Sequence, residues 1–175
     1  MEKTLDSKTI FQGKILEMKV DHVSLPSGGT SIREFVLHPG AVSVLPFLNE
    51  GEIILVRQFR YPVGESLLEI PAGRLEPGED PKETARREMV EEIGYRIGDL
   101  KHISTFFTTP GYTNEVMHLF FAYDLEKTEP NSERDEILEI ETMTLEEAYV
   151  KIQKGEIKDG KTIAALALTS LMNGE

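Results

Sequence analysis

The chain has 175 residues, a formal net charge of −12, an apolar share of 39% and no cysteine. That length and apolar share suit one domain with a real core and a small appended subdomain. The charge argues against nucleic acid or an anionic membrane surface as partner, and the lack of cysteine excludes disulfides, thiolate metal sites and a cysteine nucleophile.

The opening MEKTLDSKTI lacks the apolar stretch of a secretion signal, and the longest apolar run, residues 163–168, is far too short to span a bilayer. A soluble cytoplasmic protein is expected. Residues 9–37 alternate in short β-like runs. Ile10, Phe11, Ile15, Met18, Val20, Val23 and Leu25 lead into Pro26-Ser27-Gly28-Gly29, a turn signal, and residues 32–37 resume as a strand. This predicts a small antiparallel meander over residues 1–39, ahead of a larger domain over residues 40–175. Such a sheet buries little by itself and is expected to pair with another chain. After the break His38-Pro39-Gly40, residues 41–48 and 52–59 are apolar β-rich runs around Asn49-Glu50-Gly51, which predicts a hairpin. Arg57 and Arg60 stand at the end of the second run. An arginine there can clamp phosphate oxygens with its two-pronged donor set; the alternative is a surface salt bridge. Residues 67–72 form a further strand.

Residues 73–95 carry the densest signal. Pro71, Gly73, Pro77 and Gly78 mark a turn, and a helix then starts under local instruction. Asp80 suits the N-cap, Pro81 the first helical position and Glu83 the capping-box acid, while Gly94 lets the helix stop. Glu88, Glu91 and Glu92 stand at i, i+3 and i+4, an arc of roughly 100° on one edge of the helix. Ala85, Met89, Val90 and Ile93 cover most of the other side. Three glutamates on a helix can be a solvated acidic face. A turn packed in front of them adds backbone carbonyls, and such an oxygen cluster is what Mg²⁺ prefers.

The stretch resembles the signature of the Nudix hydrolases, G-x5-E-x7-R-E-U-x-E-E-x-G-U with U a bulky apolar residue. Gly73, Glu79, Arg87, Glu88, Met89, Glu91, Glu92 and Gly94 match it, and Tyr95 is the mild departure. The resemblance implies an α+β fold, the Nudix α/β/α sandwich with a mixed sheet between helices and a small N-terminal antiparallel β-subdomain. It implies a loop–helix–loop that binds divalent metal and cleaves a nucleoside diphosphate linked to another group. Ala72, through its carbonyl, would hold that metal with Glu88, Glu91 and Glu92, and Arg87 and Glu79 would form a structural ion pair between loop and helix.

Further along, residues 100–108 read as a strand ending in Thr109-Pro110-Gly111-Tyr112-Thr113-Asn114-Glu115. Pro110 lies about sixteen residues past Gly94. It resembles the proline of the ADP-ribose pyrophosphatase branch, whose S-P-G-x-x-x-E is here T-P-G-Y-T-N-E. The runs V-R-Q-F-R-Y-P at 56–62 and L-E-I-P-A-G at 68–73 resemble the same branch. Residues 115–124 are another strand and 126–136 an acidic connection. In the matching branch such a loop supplies the general base, which falls most naturally at Glu136, with Asp135, Glu133 and Glu115 as runners-up and a merely solvated loop as the alternative. Thr144 and Glu147 predict a capping box for a helix over 145–153, and a second helix follows over 160–172. Between them, residues 155–162 spell the P-loop pattern. The mechanism of that motif needs a strand feeding the loop, and here a helix feeds it. An ordinary helix–helix connection is expected. His22, His38, His102 and His118 show no metal spacing.

The branch resemblance implies Mg²⁺-dependent hydrolysis of ADP-ribose to AMP and ribose 5-phosphate, with Mn²⁺ as the alternative ion. Glu136, Glu92 and Glu88 would be catalytic. Arg33, Arg57, Arg60, Glu69, Gly111 and Glu115 would contact substrate, Arg33 across a homodimer formed by the N-terminal sheet. The alternatives are another nucleoside diphosphate sugar or dinucleotide (GDP-mannose, NADH, FAD), or a module that binds ADP-ribose without cleaving it. Nucleic acid and membrane are not expected partners.

Overall fold

The computed structural model describes residues 1–128 and 138–173. They fall into two compact units, one formed by residues 1–40 and 106–117, the other by residues 41–105 together with the chain from residue 118 onward.

In the first unit, β1 (Lys3–Gln12), β2 (Glu17–Ser24) and β3 (Thr30–Leu37) form the expected antiparallel meander in the order β1-β2-β3. Its turn at Gly28 and Gly29 needs positive φ at both residues, +88° and +84°, which is why glycines stand there. β1 starts at Lys3, earlier than the apolar pattern suggested. Its side chains are exposed along its whole length, so the strand is held by backbone pairing with β2 and not by burial. The loop at 109–114 joins this unit through Val36 N–H to the Tyr112 carbonyl at 2.8 Å and His38 N–H to Asn114 Oδ1 at 2.8 Å.

The second unit is a mixed α/β sandwich. β4 (Ala41–Pro46), β7 (Ala72–Arg74), β8 (Tyr95–Phe107) and β9 (Val116–Lys127) make a sheet ordered β7-β4-β9-β8; β5 (Glu52–Arg60), β6 (Glu65–Glu69) and β10 (Glu139–Thr144) make another ordered β10-β5-β6. The hairpin expected between β4 and β5 shrinks to a single bridge, Phe47 with Ile53, and the strands then part into different sheets. The reason lies in burial. Val42, Val44, Leu45, Ile53, Ile54 and Leu55 are all fully buried, as in strands covered on both faces, and each strand takes two neighbours of its own. The predicted strand at 67–72 breaks at Ile70-Pro71, where proline has no N–H for a ladder.

Helix α1 (Pro81–Ile93) packs on β4 and β7, and α3 (Gly160–Asn173) also packs on β4, while α2 (Leu145–Gln153) packs on α3 and β10. The caps are those read from sequence. Asp80 accepts from Lys82 N–H, Gly94 closes α1 at φ 70°, and Thr144 and Glu147 exchange both capping-box bonds. Among the described residues no helix is long and apolar enough to cross a membrane. Ala85, Met89 and Ile93 of α1 meet Val42, Val44 and Phe120 in the core, with Tyr95 packed alongside. Phe120→Ala should lower unfolding free energy by about 3–5 kcal/mol, read from the urea midpoint at unchanged slope.

Candidate active site

Local chemistry builds the site on α1 and the loop before it. Arg87 donates to both oxygens of Glu79, each at 3.0 Å, and so ties loop to helix. Its Nη1 reaches two further carboxylates, Glu88 at 2.8 Å and Glu91 at 3.2 Å. These bonds hold Glu79 at about 2, below the ordinary glutamate value, and the bond to Glu79, with Glu88 adding, pushes the arginine up.

Glu88 was expected on an exposed acidic edge. It is instead buried, 1% exposed, on the face of α1 that packs inward. Gly73 makes room for it. A Cβ on that glycine would lie 1.9 Å from the Glu88 carboxyl carbon and 2.0 Å from one of its oxygens, so only glycine lets the carboxylate rest against the loop backbone. Glu92 accepts from the Ala72 N–H at 3.2 Å. Glu88 and Glu92 therefore meet the backbone of residues 72–73, while Arg87 gathers Glu79, Glu88 and Glu91. Among the described residues no three Asp, Glu or His side chains stand ready-made around a metal position. Arg87 draws Glu88 and Glu91, and the Ala72 amide draws Glu92. The donor set is nonetheless all oxygen and rich in carboxylate, and two of its members already lie on the Arg87 cation, which fits a hard divalent ion.

The arginines read as phosphate clamps have protein partners. Arg57 pairs with Glu141 at 2.7 Å. Arg60 donates to both oxygens of Glu69, at 2.8 and 2.6 Å. Glu69, expected to contact substrate, is 1% exposed and turned to Arg60 and to Lys161. Burial opposes its charge, and the two cations outweigh that and hold its carboxyl below the ordinary range. Arg33, Gly111 and Glu115 belong to the first unit. Arg33 pairs with Glu2, Gly111 sits in the loop turned by Thr109, and Glu115 accepts from the Thr108 hydroxyl at 2.6 Å and lies 3.6 Å from His38. Glu136, Asp135 and Glu133 lie outside the described residues.

Lys161 and Glu141 were missed as partners. The P-loop spelling at 155–162 masks the role of Lys161. The available signal was Asp159 two residues before it, a cap that fixes where the lysine starts the helix.

The site is thus an acid-rich helix docked on a glycine-bearing strand of a mixed α/β sandwich. Residues 37–166 match the NUDIX domain and residues 2–36 the nucleoside diphosphate sugar hydrolase N-terminal domain. The chain belongs to the NUDIX domain family. It is 44% identical over 172 residues to an ADP-ribose pyrophosphatase of Bacillus subtilis, covering 97% of this chain and 93% of that one. It is 43% identical to a methanol dehydrogenase activator of Bacillus methanolicus over the same shares. A crystal structure of an ADP compounds hydrolase superposes with a TM-score of 0.88 at 21% identity, over 99% of this chain and 96% of that one, and shares the fold.

Because Glu79 is depressed when folded, the stability it lends is complete above the unfolded glutamate value of about 4.3 and is lost as pH falls toward about 2. Glu79→Gln should cost about 1.5–3 kcal/mol at neutral pH, and its urea midpoint should converge with that of the parent as the pH is lowered through that window.

Proposed function

We propose that this protein is a Mg²⁺-dependent pyrophosphatase that hydrolyses ADP-ribose to AMP and ribose 5-phosphate. The observation that carries the reading is the meeting of Glu88 and Glu92 with the Ala72–Gly73 backbone, with Glu91 drawn to Glu88 by Arg87, in a chain so similar to a named ADP-ribose pyrophosphatase over nearly its whole length.

Glu88, Glu91, Glu92 and the Ala72 carbonyl would hold the ion. When bound, it would offset charge on the diphosphate and acidify a coordinated water. The chain's own residues do the rest. Arg87 keeps two of the carboxylates gathered before any ion arrives. Arg60, 37% exposed at its side chain, offers the two-pronged donor set that matches phosphate oxygens. Arg57 is the second such arginine. Water attacks one phosphorus as the bridging P–O bond breaks, the bridging oxygen leaves with the departing phosphate, and the water proton passes to a carboxylate base. We assign that base to Glu136.

Residues 1–39 are proposed as a dimerisation subdomain. Leu5, Ile10 and Phe11 of β1 are at least half exposed, an apolar strand surface suited to a second copy of the chain, and Arg33 would then serve the partner's site. A cytoplasmic protein is in keeping with this reading.

Purified protein with Mg²⁺ should release AMP from ADP-ribose faster than it turns over GDP-mannose, NADH or FAD, as followed by chromatography. Tight ADP-ribose binding without AMP would instead indicate a sensing module. Glu92→Gln should lower turnover about 100-fold or more with the melting temperature nearly unchanged; a parent-like rate for this variant refutes the site.

A further inference from the structure

The P-loop-like stretch at 155–162 is not absorbed by the chemistry above, and the structure shows what its last two residues do. Lys161, 12% exposed at its side chain, contacts the Glu69 carboxylate and reaches Asp159 Oδ1 at 2.9 Å. Asp159 is fixed in turn. Its Oδ2 caps α3, accepting from Thr162 N–H at 2.9 Å and from the Thr162 hydroxyl at 2.5 Å. That hydroxyl accepts the Ile70 N–H at 2.9 Å. The lysine is thus held between the start of α3 and the end of β6.

Around Glu69 stand two cations, Arg60 and Lys161, and a second anion, Asp159. The quartet is neutral. Its two cations differ in access: Arg60 is the outward member, Lys161 the inward one. Arg60 also lies within electrostatic reach of the signature helix, since its pKa is raised by its bonds to Glu69 first and then by Asp159 and Glu92.

We propose that Lys161 is a positioning residue for the diphosphate site, one that keeps the buried Glu69 carboxylate neutralised so that Arg60 can leave it for a phosphate oxygen. The inference rests on the reading of Arg60 as a diphosphate ligand. A carboxylate with no counter-ion in a 1%-exposed position is strongly disfavoured. With Lys161 present, Glu69 keeps one partner when Arg60 moves away. Without it, Arg60 becomes the sole counter-ion and is locked in place, so the substrate must break a buried ion pair to recruit it.

The test is steady-state kinetics of the full chain on ADP-ribose with Mg²⁺, alongside thermal melts. Lys161→Met should raise KM about tenfold or more with kcat little changed, the signature of lost binding rather than lost chemistry. Lys161→Arg, which keeps the charge, should hold KM near the parent value. The double variant Glu69→Gln/Lys161→Met should bring KM back toward the parent, because a neutral amide no longer locks Arg60; a lysine that only stabilises the fold would shift the melting temperature and leave KM in place. Parent-like KM in Lys161→Met, a KM in Lys161→Arg as high as in Lys161→Met, or no recovery in the double variant overturns the proposal. Arg60→Gln separates the two levels. If it leaves KM unchanged, the role given to Arg60 falls; if it raises KM while Lys161→Met does not, only the role given to Lys161 falls.

Discussion

The structure depends first on how one guanidinium is divided. Arg87 gives two bonds to Glu79 on the loop and one each to Glu88 and Glu91 on its own helix. In a chain of net charge −12, these acids would repel one another if left alone. The like-charged spacing of Glu88 and Glu92 is unfavourable in an isolated helix by a few tenths of a kcal/mol. Arginine suits the position because its donors are rigidly forked and always charged; a lysine could neutralise one acid but could not span loop and helix together. The loop at Glu79 is thereby closed on the helix, while pairing of β7 with β4 sets Gly73 against Glu88.

What could be read from sequence follows the range of the interactions. Helix α1 was legible to within a residue because its start and stop are local: Asp80 with Lys82, Pro81, and Gly94 bonding back to Met89 and Val90. The box at Thr144 and Glu147 is local in the same way. The acidic spacing was legible too, since periodicity places Glu88, Glu91 and Glu92 on neighbouring positions. Periodicity could not show that Glu88 is buried. That depends on β7, paired with β4, bringing Gly73 against it.

Non-local pairings were the illegible part. Strand β1 begins in a polar run, where no burial pattern marks it, because its bonds go to β2. The runs at 41–48 and 52–59 look like a hairpin, yet residues 42–45 and 53–56 are buried and the strands find partners far along the chain, β9 for one and β10 for the other. Arg57 and Arg60 carried two readings that sequence could not separate, since their acids, Glu141 and Glu69, are assigned by sheet register and by strand end. Lys161 lies 92 residues from Glu69. The letters of residues 155–162 were a poor guide because a motif acts through its surroundings: with a helix in front and Asp159 as cap, the lysine and threonine turn toward β6.

The consequence is clearest in residues 69–73. The Glu69 side chain is held by Arg60 and Lys161, the Ile70 N–H by Thr162, the Pro71 carbonyl by Val44 N–H at 2.9 Å, the Ala72 N–H by Glu92, and Gly73 lies on Glu88. Five successive residues are each tied to a different neighbour drawn from β5, α3, β4 and α1. A segment held at successive residues has little ordering entropy left to lose when anything binds beside it. Here the direction of the Ala72 carbonyl is fixed by tethers on both sides of it. Two of those tethers are carboxylates only 1% exposed, Glu69 and Glu88, each stabilised by an arginine. The same buried charges that would destabilise the unit if stripped of their partners are what make this segment rigid, so the geometry of residues 69–73 is a property of the whole second unit and not of the signature alone.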